Sequence, residues 1–233
     1  MSNDPWFDQI LFVVLPYVAL VLFFLVTIQR YRAQKFTYSS LSSQFLENRE
    51  HFWGVVPFHY GILAVLAGHV AAWLLPGEVL AFNAKPVRLY ILEITGLALG
   101  LFALVGLVAA VVRRLRTSKV RVVTTPSDWI LYALLTVQVT TGVLVAILHP
   151  WGSSWFAGAA APYLWSIARL QPDIGFVSAL PWLVQLHITN AFVLIGFFPF
   201  TRLVHILVVP NPYLWRRTQV VRWYGIRWAA RDN

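Results

Sequence analysis

Cysteine is absent from this 233-residue chain, which excludes disulfides, thiolate nucleophiles and cysteine-ligated iron–sulfur clusters. Redox chemistry is left to a cofactor with other ligands. Charge is scarce too: 12% of the residues are Asp, Glu, Lys or Arg, where a soluble domain carries roughly 25%. No glycine-rich phosphate loop opens a helix, which argues against nucleotide chemistry. No internal repeat and no matched pair of interrupted helices of the transporter kind can be found. The apolar stretches show none of the short alternation of a membrane barrel.

Apolar residues are abundant, at 59%, and 11 of the residues are tryptophan, many near the ends of apolar runs, where an interfacial belt would put them. The runs cover about residues 10–29, 53–75, 89–112, 127–148 and 181–209. Each meets the requirement of about 20 residues for one helical crossing of a hydrocarbon core about 30 Å thick. The expected fold class is an all-α integral membrane protein with five transmembrane helices in a bundle. Residues 150–180 mix Trp151, Trp155, Phe156, Leu164 and Trp165 with Gly152, Gly158, Pro162 and Pro172. That mixture reads as an interfacial loop with short helical pieces, not a sixth span. The N-terminus lacks the basic region and cleavage site of a secretory signal, so the first run is expected to stay as a helix.

The net charge of +9 would suggest nucleic acid in a soluble protein, but its distribution points to the membrane. Arg30, Arg32, Lys35 and Arg49 follow the first run; Arg113, Arg114, Arg116, Lys119 and Arg121 follow the third; Arg216, Arg217, Arg222, Arg227 and Arg231 follow the fifth. Alternate connections therefore hold 14 of the 18 basic residues. The positive-inside bias puts the N-terminus outside and the C-terminus in the cytoplasm. Residues 1–209 form the expected membrane domain and 210–233 a cytoplasmic tail.

Four of the six histidines lie within apolar runs: His59 and His69 in the second, His187 and His205 in the fifth. Imidazole in hydrocarbon needs a partner, and it is a good axial ligand for haem iron. Two histidines on each of two helices suit two bis-histidine haems; polar helix packing, a proton path and a non-haem metal site are the alternatives. The two helices run in opposite directions, so His59 faces His205 toward the cytoplasm and His69 faces His187 toward the outside. At about 1.5 Å per residue the two steps are roughly 15 and 27 Å. Tilt and a bend near Pro199 would have to absorb about 6 Å per haem. His51, eighteen residues before His69, is a rival partner for His205, although it follows the polar run ENRE. Gly54, Gly61 and Gly68 recur every seven residues beside these histidines, with Gly96, Gly100 and Gly106 on the third run. Such a stripe admits a flat macrocycle or a close neighbouring helix. Glu93 and Asp128, near the starts of the third and fourth runs, are open to structural or functional roles.

Taken in order, YRAQKFTYSSLSSQFLENRE, FHYGILAVLAGH, VRVVTTPSDWIL and LHITNAFVLIGFFPFTRLVHILVVP resemble the gamma subunit of respiratory nitrate reductases, a membrane cytochrome b. The resemblance implies two b-type haems, quinol oxidation near the outer face, and electron flow inward to an iron–sulfur beta subunit and a molybdenum-containing alpha subunit that reduces nitrate. It implies His69 and His187 at the distal haem, His59 and His205 at the proximal haem, and a prokaryotic cytoplasmic membrane. Lys85 is the nearest match to a quinol-site lysine. Related cytochromes anchor other molybdenum or iron–sulfur oxidoreductases, and a non-redox transporter is the reading from a different class. Arg202, three residues before His205, shares its helical face and would reach a haem propionate or snorkel to headgroups. In the tail, Trp215, Trp223, Tyr224 and Trp228 alternate with arginines, which suits headgroups or, by the resemblance, docking of the iron–sulfur subunit.

Overall fold

The computed structural model describes residues 5–34, 37–38, 46 and 49–207. The tail expected to dock a partner and the side chain of His51 lie outside the described residues. Among the described residues the regular structure is entirely helical. Five helices are long and apolar enough to cross a membrane: α1 (Trp6–Ala33), α2 (Arg49–Leu74), α3 (Pro86–Arg116), α4 (Pro126–Leu148) and α5 (Trp182–Phe197). Their starts follow local chemistry. Pro86 and Pro126 sit in first turns, where a missing N–H costs nothing. At α4 the Thr125 Oγ1 accepts from the Asp128 N–H at 3.3 Å, and the Asp128 carboxylate accepts from the Thr125 N–H at 2.9 Å. This reciprocal cap satisfies two donors that the helix end would otherwise orphan.

The long helices pack as an open series in which α2 lies on α3, α3 on α4, α4 on α5, and α5 on α1. The two histidine-bearing helices, α2 and α5, are thus bridged by α3 and α4 and make no extensive contact with each other. Glycine sets the tightest seam. A Cβ on Gly61 would lie 2.6 Å from the Ala103 backbone nitrogen, one on Gly54 would lie 3.0 Å from that of Ala110, and one on Gly106 would collide with the Phe58 backbone. These three glycines therefore seat α2 on α3, the neighbouring-helix alternative. Gly68 and Gly96 face open space. Large side chains such as Leu25, Leu63, Ile94 and Val105 remain exposed, as a lipid-facing surface requires.

The fifth apolar run departs from expectation. Its α-helix stops at Phe197, a 3₁₀ turn covers Phe198–Phe200, Thr201 is extended, and a second 3₁₀ segment runs over Arg202–Leu207. His187 and His205 consequently do not share one face of a continuous helix. Pro199 lacks the N–H that would continue the ladder, and Arg30 of α1 takes over the freed carbonyls. Its Nη1 donates to Pro199 O at 2.5 Å and Thr201 O at 3.1 Å, while Nε and Nη2 bond Thr37. A basic residue read as a topology signal is therefore also the clamp on a helix break.

Residues 150–180 are more helical than the sequence suggests, with Gly152–Trp155, Phe156–Ala160 and Ala161–Ala168 running without interruption and Gly175–Ser178 following. The connection between α2 and α3 also holds an unforeseen helix, Pro76–Asn83. The Tyr163 hydroxyl donates to Phe12 O at 2.7 Å, and the Tyr17 hydroxyl donates to Ile167 O at 3.2 Å. Phe12, Ala19, Tyr163, Ile167, Val177 and Phe192 then form one buried cluster joining this segment to α1 and α5.

Candidate functional site

His69 near the C-terminal end of α2 faces His187 in the first half of α5. Their ring centres are 6.5 Å apart and the planes differ by 37°. Imidazole–metal bonds of about 2 Å on each side, with each ring centre about 1.1 Å behind its nitrogen, require about 6 Å between centres. The pair therefore has about the separation of two axial ligands. Two imidazoles are also the ligand set that haem iron takes in a bis-histidine site. Among the described residues, no group of three or more His, Asp or Glu side chains converges as a metal site.

The surroundings orient both rings. The His69 Nδ1–H donates to Val65 O at 2.8 Å, which leaves Nε2 with its lone pair. For His187 the tautomer follows from a chain of partners that begins at a group able only to accept. Leu134 O receives the Asn190 Nδ2–H at 3.0 Å, and the same amide nitrogen donates to Gln138 Oε1 at 2.7 Å. Gln138 must then present its NH₂ to the ring, where it lies 3.1 Å from His187 Nε2. The same nitrogen lies 3.3 Å from Nδ1, so it donates to whichever ring nitrogen keeps its lone pair. Thr141 decides: its hydroxyl donates to Val137 O at 2.7 Å, so its oxygen is left to accept from His187 Nδ1–H at 3.0 Å. Both facing histidines thus carry their hydrogen on Nδ1; the Nε2 lone pair of His187 meets the Gln138 amide, which would have to yield it to iron.

Packing supplies the rest of the site. A Cβ on Gly142 would lie 2.9 Å from His187 Cε1, so this glycine leaves the room the ring occupies. The Phe156 ring stands edge-on to His69 at 5.1 Å, and Trp73 and Trp165 stack obliquely at 5.3 Å one turn further along. Glu93 holds that wall in place: its carboxylate accepts from Gly152 N, Ser153 N and Ser153 Oγ at 3.1, 2.8 and 2.5 Å. Asn83 adds bonds to the hydroxyls of Ser153 and Ser154. Glu93 therefore has a structural function, anchoring Ser153 three residues before Phe156.

The other histidines are less closely associated. The His59 Nδ1 lies 2.8 Å from Val55 O and His205 Nδ1 lies 2.5 Å from Arg202 O, so each ring again leaves Nε2 open to a ligand. Among the contacts of the described residues, no ring contact or hydrogen bond joins His59 to His205. Arg202 is in a 3₁₀ segment, and its Nη2 reaches Asp128 at 2.8 Å and Val123 O at 3.1 Å. This ties the start of α4 to the segment bearing His205, a role the sequence reading gave to neither residue. Lys85 is exposed immediately before α3, at the same end of the bundle as His69.

Gln138, Thr141, Gly142 and Asn190 escaped the sequence reading, which weighed charged groups and histidines but not neutral polar residues. A signal was present: Gln138 and Thr141 are three apart in an apolar helix, and Asn190 is three after His187, so each pair shares a helical face.

Comparison with known proteins agrees with this architecture. The family model described as nitrate reductase gamma subunit matches residues 8–224. The nitrate reductase gamma chain of Bacillus subtilis (strain 168) is 32% identical over 217 residues, covering 92% of this chain and 97% of the relative. The respiratory nitrate reductase 1 gamma chain of Escherichia coli (strain K12) is 30% identical over 223 residues, with the same coverage of each. The nitrate reductase-like protein NarX of Mycobacterium tuberculosis (strain ATCC 25618 / H37Rv) is 30% identical over 220 residues, which is 33% of that longer protein. With five apolar helices and matches that run nearly end to end, the chain belongs to the nitrate reductase gamma subunit family and is a multi-pass membrane protein.

Proposed function

We propose that this chain is the quinol-oxidising cytochrome b subunit of a nitrate reductase, holding two b-type haems in a cytoplasmic membrane with its N-terminus outside. The observation that carries the reading is the His69–His187 pair, 6.5 Å between ring centres, with Nδ1 of each ring held by Val65 O and Thr141 Oγ1. His69 and His187 would hold the distal haem, and His59 and His205 the proximal one. Bound haem supplies one-electron redox chemistry at each site. The protein supplies orientation and insulation. The Val65 and Thr141 bonds hold the imidazoles, the Phe156 wall and the α2–α3 seam limit water, and the open α2 surface gives lipid-side access to quinol. Oxidation of one quinol releases two protons and two electrons; the protons leave at the outer face and the electrons pass inward to an iron–sulfur beta subunit and a molybdenum-containing alpha subunit. Lys85 lies at the proposed quinol end as a cation beside the emerging hydroxyls. The 3₁₀ segment with His205 and the tail after residue 209 would face the partner subunit. Arg202 serves there as a strut to Asp128, with contact to a proximal propionate as a further role.

The test replaces His59, His69, His187, His205 and His51 singly by Ala and records haem content and quinol-driven reduction in the assembled complex. Loss of His69 or His187 removes the distal b-type signal and blocks electron entry. Loss of His59 or His205 removes the proximal signal and leaves the distal haem reducible. Full retention of both haems after replacement of His69 would sink the assignment, and selective loss of the proximal haem on replacing His51 would displace His59.

A further inference from the structure

His187 differs from the other three candidate ligands in what holds its Nδ1. His59, His69 and His205 each bond a main-chain carbonyl within their own segment: Val55, Val65 and Arg202. His187 instead meets the Thr141 hydroxyl, a side chain on a different helix, at 3.0 Å. That hydroxyl is itself fixed by donation to Val137 O at 2.7 Å, so it is committed as an acceptor and polarised toward accepting. Thr141 is buried, 6% exposed, where water does not readily replace it.

We propose that Thr141 is a positioning residue for the distal haem, one that sets the ring orientation and basicity of His187 and thereby the reduction potential of that haem relative to the proximal one. The inference rests on the haem-binding reading of the His69–His187 pair. An acceptor on Nδ1–H gives imidazole partial imidazolate character, strengthens donation to iron and favours the oxidised state. Because this acceptor comes from α4, the potential of the distal haem is tied to how α4 seats on α5. The Gln138 amide nitrogen, held by Asn190 through its own carbonyl, lies 3.1 Å from Nε2 and 3.3 Å from Nδ1 and can only donate, so Thr141 is the partner placed to accept from Nδ1–H.

The experiment is potentiometric titration of the two b-type signals in the assembled complex, for wild type, Thr141→Val and Thr141→Ser. Valine keeps the shape and removes the acceptor. The reduced-to-oxidised ratio of the distal haem at the wild-type midpoint should rise on the order of three- to tenfold, tenfold being 59 mV for one electron. The proximal haem should not move, and serine should restore the distal value to within about twofold. A valine variant with both haems and an unchanged distal potential overturns the inference, as does a serine variant that behaves like valine. Should valine empty the distal site, Thr141→Ala against Thr141→Ser carries the same comparison. Equal distal potentials in those two overturn the inference, and a higher potential in alanine alone supports it. Wild-type complex without two b-type haems is a separate result, which takes down the haem-binding reading and this inference with it.

Discussion

Replacement of Gly142 by alanine tests how closely the distal site is built around the His187 ring. The new Cβ would lie 2.9 Å from His187 Cε1. Ordinary carbon contacts are about 3.5–4.0 Å, so the ring must withdraw by about 0.6–1.1 Å. Withdrawal of that size stretches the 3.0 Å bond to Thr141 and disturbs the 6.5 Å spacing to His69. Overpacking on this scale costs about 1–3 kcal/mol. If it falls on the ligand geometry, affinity for the proposed distal haem drops roughly 5- to 150-fold, at about 1.4 kcal/mol per tenfold. The obstacle is one imidazole and not a backbone, so the bundle should still assemble. Gly61→Ala, whose Cβ would press on the Ala103 backbone at 2.6 Å, should instead separate α2 from α3. Gly96→Ala, with nothing within 4 Å, should be neutral or slightly stabilising. The assay is haem stoichiometry and the reduced-minus-oxidised spectrum of purified complex. Full distal haem with an unaltered spectrum in Gly142→Ala would refute the proposed geometry.

Two further outcomes concern stability. Asp128→Ala removes a helix cap worth about 1 kcal/mol and the charged partner of Arg202, a charge-assisted bond worth about 1.5–3 kcal/mol, while Arg202 keeps its bond to Val123 O; thermal unfolding in detergent should show a clear fall, smaller for Asp128→Asn, and a wild-type midpoint in the alanine variant would refute the strut. Burial raises the phenol of Tyr163 well above the usual tyrosine range. The folded chain then keeps a proton that the unfolded chain loses near pH 10, so stability is full below that pH and falls as pH climbs past it. Tyr163→Phe should lose about 1 kcal/mol at neutral pH, through the lost bond to Phe12 O, and should flatten the alkaline decline; an unchanged slope between pH 9 and 11 would assign that decline to other groups.

Five crossings were legible from the sequence because hydrocarbon demands about 20 apolar residues per helix, a one-dimensional requirement that composition alone meets or fails. The histidines were legible for a related reason: a polar ring in an apolar run is conspicuous wherever the helix sits. The approach of the His69 ring to that of His187 is the one antiparallel helix order leads one to expect. What the sequence could not decide depends on which side chains face each other across helices. Glycines spaced by seven read equally well as a haem slot or a packing seam until the Gly61–Ala103 and Gly106–Phe58 approaches chose the seam. Pro199 announced a bend, but the extended Thr201 and the Arg30 clamp arise from a guanidinium brought from α1. Thr141, Gln138 and Asn190 looked like ordinary polar residues, since a neutral side chain has no address until a partner stands within about 3 Å of it. Length, period and isolated polarity are local quantities and were readable in order along the chain; hydrogen-bond partners and Cβ-sized gaps are properties of converging surfaces, and only the packed bundle decided them.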